Sequence, residues 1–282
     1  MSKRKVVLTG AAGYVAGRML PALRERYDLT LIDIKTTNRA GEQVEGVVVV
    51  NLCERDRDTY REHFRGADAV VHCGFTRAAD ACDRFWAELD NVRMAYNMYQ
   101  TCLEERVRRV VVIGSNHAAD YYERLIWKNL MGYVTPDMRP LSDNYYGWAK
   151  AAYELLGFVF ASGGAAQEEK LQNVQIRIGA PREIDFERLG PQDLNQMHRA
   201  LGAYLSVRDQ VQLVVKSIET EHIEDEHGVP FQIFYGISGN THAFWSVANA
   251  RRVIGYAPCD DSQVRFAPRI AEILDQAQNR QQ

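Results

Sequence analysis

The sequence predicts an α/β fold, a doubly wound parallel sheet with a small C-terminal substrate lobe. Through the first half of the 282 residues, short runs rich in Val and Ile alternate with amphipathic stretches of helical period. This alternation is typical of crossover units that join parallel strands. After about residue 180 the alternation loosens. We therefore expect a cofactor-binding domain at 1–179 and a lobe at 180–282 packed on it, with segments of the lobe returning to the core.

The individual elements follow from local periodicity. β-branched runs predict strands at 6–9, 29–33, 47–50, 69–72, 110–114, 174–178 and 231–235. Apolar residues three and four apart predict helices at 18–26, 55–64, 82–105, 146–161, 207–219 and 245–254. The segment 181–195 is expected to be a loop. Ligands of such folds bind at the carboxyl ends of the strands.

Composition narrows the class of protein. The net charge is −3 and the basic residues are scattered, so the sequence offers no basic face for nucleic acid. The five cysteines form no C-x-x-C pair, which argues against a disulfide framework or a zinc site. The dense run at 221–227 of acidic residues and histidines is interpreted as a solvated loop, and no metal is predicted. The apolar run after the basic N-terminus is too short for a signal or a membrane span, so a cytoplasmic location without membrane contact is expected.

A glycine-rich turn directly follows the first predicted strand. Gly10 permits the tight turn, and Gly13 lets the backbone approach a pyrophosphate. Ala16 takes the third small position, at the start of the first helix, with Gly17 beside it. The free N–H groups of that helix would meet the phosphate charge. Plain turn glycines are the alternative, and the position between strand and helix favours a dinucleotide site.

Asp33 at the end of the second predicted strand strengthens this interpretation. A carboxylate there hydrogen-bonds the adenosine ribose and repels the 2′-phosphate of NADP, which favours NAD. Lys35 and Arg39 lie nearby in the sequence, so NADP stays an alternative cofactor. The residues expected to contact the cofactor from the first four strand ends are Gly10, Ala12, Gly13, Tyr14, Val15, Asp33, Ile34, Asn51, Leu52, Cys73 and Gly74.

Tyr146 and Lys150 are candidates for acid/base chemistry. They are four residues apart at the start of a predicted helix, so their side chains share one face. An adjacent ammonium is expected to lower the pKa of the tyrosine and to favour its phenolate. The spacing alone is a weak pattern. Ser115 supports it, because this serine ends the fifth predicted strand, where it could orient a reacting oxygen.

Together these residues resemble the extended short-chain dehydrogenase/reductase family, also called the NAD-dependent epimerase/dehydratase family, over nearly the whole chain. The resemblance implies a Rossmann-type domain that binds NAD. It also implies that Tyr146 is the acid/base, that Lys150 lowers its pKa and holds the nicotinamide ribose, and that Ser115 polarises the substrate oxygen. Asn91 in the long helix is similar to the asparagine that supports the proton relay. Relatives commonly pair through two helices, so a homo-oligomer is expected.

A narrower resemblance, to the uronate dehydrogenase branch, rests on the segments at 114–117, 176–179 and 235–245. It implies that Arg177 pairs with a sugar carboxylate, which suits the fork geometry of a guanidinium. Asn116 and His117 would contact sugar hydroxyls, with Thr76 a further candidate. A structural salt bridge is the alternative for Arg177. The sequence departs from the branch at Gly114 and Ala180, where serines are usual.

The leading hypothesis is hydride transfer from the anomeric carbon of a small sugar acid to NAD, giving an aldarolactone. The first alternative keeps the chemistry and changes the substrate to another aldose, a sugar phosphate or a sulfonated sugar. A nucleotide-sugar epimerase or dehydratase and a non-catalytic NAD(H) sensor are further alternatives. The Tyr146 and Lys150 pair argues against the sensor, and the short C-terminal region argues against the epimerase.

Overall fold

In the computed structural model, which describes residues 3–165 and 169–280, the strands form one parallel sheet in the order β3-β2-β1-β4-β5-β6-β7. Over these residues the strands are β1 Lys5–Thr9, β2 Asp28–Asp33, β3 Val47–Val49, β4 Ala69–His72, β5 Arg109–Ile113, β6 Gln172–Ile178 and β7 Phe231–Gly236. The strand order reverses between β1 and β4, which is the switch point of a doubly wound sheet. The predicted fold class is confirmed.

Helices cover both faces of this sheet. The helices of the described residues are α1 Tyr14–Arg26, α2 Arg84–Glu104, α3 Glu123–Trp127, α4 Tyr145–Ala161, α5 Ile184–Glu187, α6 Leu194–Ala203, α7 Val207–Glu219, α8 Ala248–Ile254, α9 Ser262–Arg265 and α10 Ala267–Asn279. Of these, α1 and α7 lie on one face and α2 and α4 on the other. Side chains alternate along β1, so Val6 and Leu8 pack under α1 and α7 while Val7 packs under α2 and α4. Two apolar cores therefore hold the strand ends in fixed positions.

The helix expected at 55–64 was wrong. Two short 3₁₀ turns, Arg57–Thr59 and Arg61–His63, stand there instead. The Asp56 side chain accepts the N–H of Asp58 and starts the first turn. Tyr60 then takes a φ of −143°, which interrupts the helical path. The apolar spacing in this segment reflects the burial of Tyr60 and Phe64, both 0% exposed, rather than a continuous helix.

The C-terminal part of the chain contributes a strand, β7, to the main sheet. β7 pairs with β6 along its length, from Asn173 opposite Phe231 to Ile178 opposite Gly236. α5, part of the segment expected to be a loop, packs with α6 and α10 around a separate small core. The sequence pattern had not predicted α6 or α10. The division at residue 179 stays a prediction.

α2 and α4 lie side by side and leave large apolar side chains exposed. Trp86 is 63% exposed and Leu155 is 64% exposed. A homo-oligomer and a cytoplasmic location stay predictions.

Across residues 3–165 and 169–280, none of the helices has both the length and the apolar composition that crossing a membrane requires. The same residues bring together no group of three side chains that could ligate a metal.

Candidate active site

A cleft of about 1820 Å³ runs along the carboxyl ends of β1, β2, β4, β5 and β6. Most of the residues that the sequence singled out line it. They are Gly10, Ala12, Gly13, Tyr14, Val15, Asp33, Ile34, Asn51, Leu52, Cys73, Gly74, Thr76, Ser115, Asn116, His117, Tyr146 and Lys150. Two of the singled-out residues, Asn91 and Arg177, lie outside this lining.

The turn after β1 leaves no room for a side chain at its two glycines. Gly10 has φ +66°, and a Cβ on it would come within 2.6 Å of the Cys73 carbonyl group. A Cβ on Gly13 would come within 2.9 Å of the Gly10 oxygen. Asp33 Oδ2 accepts the Ala12 N–H at 3.0 Å, which fixes the carboxylate beside the turn. Glycine is therefore required at both positions, and a dinucleotide fits beside the N-terminus of α1.

Ser115, Tyr146 and Lys150 come together in the cleft. Ser115 follows β5 and accepts the His117 N–H at 3.2 Å. The other two begin α4, which Asn144 caps by accepting the Gly147 N–H at 2.9 Å. The cap sets where the first turn of α4 begins, and so where Tyr146 and Lys150 point.

Aromatic rings surround the Lys150 ammonium. Its Nζ lies 5.0 Å from the Phe75 ring centroid, 5.4 Å from that of Tyr146 and 4.6 Å from that of Tyr153. Such contacts partly replace the water that burial removes. Burial nevertheless lowers the pKa of Lys150 to about 8. The side chain is therefore mostly charged at neutral pH, although its pKa lies only a little above that pH.

The pKa of Tyr146 differs from the expectation. Burial raises it above the ordinary value, because the phenolate loses water, while interaction with the Ser115 hydroxyl lowers it. Glu88 raises this pKa further, and Arg182 and Arg77 lower it. In the protein alone, desolvation therefore outweighs the stabilisation of the phenolate by its neighbours.

Asn91 acts on the loop after β4 and does not line the cleft. Its Oδ1 accepts the Thr76 N–H at 2.8 Å, and its Nδ2 donates to the Thr76 carbonyl oxygen at 2.9 Å. Nδ2 also donates to Glu88 Oε2 at 3.2 Å. The side chain therefore holds a cleft-lining segment in place, and its role in a proton relay stays a prediction.

Arg177 requires a correction, because its guanidinium is buried against the sheet instead of facing the cleft. It is 0% exposed, and its Nε and Nη2 each donate to a Glu154 carboxylate oxygen at 2.7 Å. Nη1 donates to the Tyr235 hydroxyl at 3.0 Å. The side chain leaves β6 on the face that α4 covers, so the fork expected to hold a substrate carboxylate is already occupied by a protein one.

Several cleft residues were missed from the sequence. Arg199 reaches the cleft from α6 and pairs with Glu123 through bonds of 2.6 and 2.9 Å. Arg77 and Arg182 line the region near Tyr146. Arg199 could not be predicted as a cleft residue, because α6 itself was not predicted. Glu88 could have been predicted to lie near Asn91, because it precedes Asn91 by three residues and so shares one face of the same helix.

The fold and cleft together define a dinucleotide-binding α/β protein with a Ser, Tyr and Lys group beside the cofactor turn. A family model described as the NAD dependent epimerase/dehydratase family matches residues 6–162. The chain belongs to this family. The predicted family resemblance and the NAD cofactor are confirmed.

Relatives of known activity extend over most of the chain. L-arabinose 1-dehydrogenase (NAD(P)(+)) of Haloferax volcanii is 28% identical over 92% of this chain and 97% of its own. Uronate dehydrogenase of Pseudomonas putida is 29% identical over 92% of this chain and 85% of its own. A solved mutated uronate dehydrogenase, 24% identical, superposes with a TM-score of 0.71 over 97% of this chain and 86% of that one.

Proposed function

We propose that the protein is an NAD-dependent dehydrogenase that oxidises the anomeric carbon of a small sugar. The observation that carries this proposal is the placement of Ser115, Tyr146 and Lys150 beside the glycine turn in one cleft. The dehydrogenases of arabinose and uronate among the relatives support it. A cleft of this kind offers an acid/base group and an oxygen-orienting hydroxyl on the cofactor side of the substrate.

Each residue has a physical role in this reaction. The Ser115 hydroxyl orients the substrate oxygen, and the Tyr146 phenolic oxygen accepts the proton of the substrate hydroxyl. The Lys150 ammonium holds the nicotinamide ribose and favours the phenolate electrostatically. Asp33 and the turn at Gly10 hold the adenosine end. NAD, when bound, supplies the hydride acceptor.

An anionic sugar, a uronate that would give an aldarolactone, is the finer proposal. Arg77, Arg182 and Arg199 all line the cleft. The first two lower the pKa of Tyr146, although Glu88 raises it, so two cationic side chains act on the region of the reacting oxygen. Cationic side chains that line a cleft attract a carboxylate. In this proposal these side chains take the carboxylate-binding role that the resemblance implied for Arg177, while Thr76, Asn116 and His117 remain candidates for sugar hydroxyls.

A neutral aldose is the second candidate, and the ion pair between Arg199 and Glu123 favours it. Glu123 already accepts bonds from two nitrogens of the guanidinium, and the two side chains are 25% and 12% exposed. A substrate carboxylate would have to compete with this protein carboxylate. A neutral hydroxyl group could bind beside the intact pair.

The test is formation of NADH by purified protein with NAD and either glucuronate, galacturonate, arabinose, glucose or glucose 6-phosphate. Turnover confined to the uronates supports the anionic substrate, and turnover confined to arabinose or glucose supports the neutral one. Tyr146→Phe is the control, since it removes the acid/base group without changing the shape of the ring. No turnover with any sugar, while NAD binding is measured directly, would refute the proposal.

A further inference from the structure

Glu123, the first residue of α3, holds one edge of the Arg199 guanidinium. Its Oε2 accepts from Nε at 2.6 Å and its Oε1 accepts from Nη2 at 2.9 Å. Arg199 lines the cleft and Glu123 does not. We propose that Glu123 is a specificity-determining residue, which occupies an anion-binding site at Arg199 and so weakens the binding of anionic sugars relative to neutral ones. Its meaning for catalysis rests on the proposed function, but the binding can be measured without turnover.

The pair has the geometry that a guanidinium uses for a bound anion. Two parallel N–H···O bonds are the usual arrangement between arginine and a carboxylate or phosphate ligand. Glu123 therefore fills the edge of Arg199 that such a ligand would take. Because Glu123 belongs to the same chain, its carboxylate competes at an effective concentration of about millimolar or more. A substrate carboxylate must displace it before it can reach both N–H groups.

Trp245 supports the Arg199 guanidinium independently of Glu123. The guanidinium carbon lies 5.8 Å from the centroid of the Trp245 ring, within the range of a cation–π contact. Trp245 is 1% exposed and packs on Phe244, with the ring centroids 3.9 Å apart. A ring so buried cannot turn away from its neighbours. We therefore expect Arg199 to stay at the cleft when the charge of Glu123 is removed.

The segment that carries Glu123 is fastened by contacts of its own. The Trp127 ring of α3 lies 5.3 Å from the ring of His198, which precedes Arg199 on α6, and 5.3 Å from that of Phe244. Farther along this segment, the Val134 N–H donates to the Phe244 carbonyl oxygen at 2.7 Å. None of these contacts involves the side chain of Glu123. Replacing that side chain should therefore change the charge at Arg199 and leave α3 in place.

Two other cations of the cleft do not disturb the comparison. Arg77 and Arg182 line the same cleft and attract an anion whether or not Glu123 is charged. Their contribution is common to the unmodified protein and to a variant at Glu123. A change in the preference between anionic and neutral sugars therefore reports on Glu123 and Arg199.

The experiment compares the binding of L-arabinose and D-galacturonate to protein saturated with NADH, measured by calorimetry. The two sugars share one ring configuration and differ by the carboxylate, and NADH cannot accept a hydride, so neither complex reacts. In Glu123→Gln the Kd for galacturonate, relative to that for arabinose, should fall about tenfold, the value of one charge-assisted hydrogen bond. An unchanged ratio would overturn the inference.

Two controls separate Arg199 from a general effect of charge. Glu219 accepts two bonds from Arg26 at 2.6 and 2.8 Å, and neither side chain lines the cleft, so Glu219→Gln should leave the ratio unchanged. In Glu123→Gln with Arg199→Met the guanidinium is absent, and the gain should disappear. A gain that persists in this double variant, or that is equal in Glu219→Gln, would contradict the assignment.

Inorganic phosphate gives a readout that needs no sugar. In protein saturated with NADH and at equal ionic strength, phosphate should raise the midpoint of thermal unfolding more for Glu123→Gln than for the unmodified protein, because a ligand of the folded state stabilises it. Glu123→Ser removes the same charge and gives the same comparison if the glutamine variant does not fold. Equal effects of phosphate on these proteins would also overturn the inference.

Turnover tests the proposed function separately. If the ratio shifts as expected but no form of the protein oxidises a sugar with NAD, the proposed function fails and the role of Glu123 in anion binding stands. If sugars are oxidised and the ratio does not shift, the proposed function stands and Glu123 does not determine the specificity.

Discussion

Replacing Arg177 by methionine distinguishes a structural guanidinium from a substrate ligand. The substitution removes two bonds of 2.7 Å to Glu154 and one of 3.0 Å to Tyr235. It leaves the Glu154 carboxylate, whose side chain is 5% exposed, without its cation. Breaking a buried pair on one side costs about 3–5 kcal/mol. We expect the free energy of unfolding, measured by urea denaturation with circular dichroism, to fall by about that amount.

A double variant tests the physical reason for this loss. In Arg177→Met with Glu154→Met, neither charge remains, and apolar groups of similar length fill the space. Because replacing a whole buried pair is often close to neutral, most of the lost stability should return. Arg124→Met is the surface control. Its pair with Asp143 is 49% and 57% exposed, so its loss should cost less than about 1 kcal/mol.

The refuting result is equally specific. If Arg177→Met unfolds at the same urea concentration as the unmodified protein and only the KM for a uronate rises, then the guanidinium serves the substrate. The buried pair would then be an incorrect description of the site. Measuring stability and KM on the same preparations separates the two outcomes.

Three further substitutions test the cleft. Gly10→Ala should weaken NADH binding, followed by fluorescence, at least tenfold, because its Cβ would meet the Cys73 backbone at 2.6 Å; Gly17→Ala, which has no atom within 4 Å, should bind normally. Tyr146→Phe should lower kcat roughly 10²–10⁴-fold, the usual range for a general acid/base, with unchanged NADH binding, and a smaller loss would assign the proton transfer elsewhere. Asp33→Asn should raise the ratio of kcat/KM for NADP to that for NAD, since it removes the charge that repels a 2′-phosphate; an unchanged ratio would show that Asp33 does not select the cofactor.

The sequence predicted features that depend on neighbours close along the chain. The alternation of Val6, Val7 and Leu8 follows from the two-residue period of a strand, so strand and burial could both be predicted. The glycine turn lies directly between a strand and a helix, and Tyr146 and Lys150 are one helical turn apart. Each of these signals is local, and the structure brings the glycine turn, Tyr146 and Lys150 to one cleft.

Features that depend on distant contacts could not be predicted. Arg177 turns away from the cleft because Glu154 on α4 and Tyr235 on β7 bind it on the covered face of the sheet. The residues near Arg177 in the sequence do not indicate that Glu154 and Tyr235 are its partners. Arg199 reaches the cleft only because α6 packs against α10 through a small core of its own. The helix expected at 55–64 failed for a related reason, since its apolar residues face the core from turns.

The late position of β7 in the chain has a consequence for how the protein is synthesised. β7 covers the edge of β6, yet the ribosome produces it only after α5, α6 and α7. Until then the backbone groups on the β7 side of β6 are unpaired, and an open strand edge is a template for association with other chains. A fragment ending at residue 179 should therefore express as aggregates, whereas one extended through β7 satisfies that edge. Native assembly of this sheet is accordingly expected to finish late in translation.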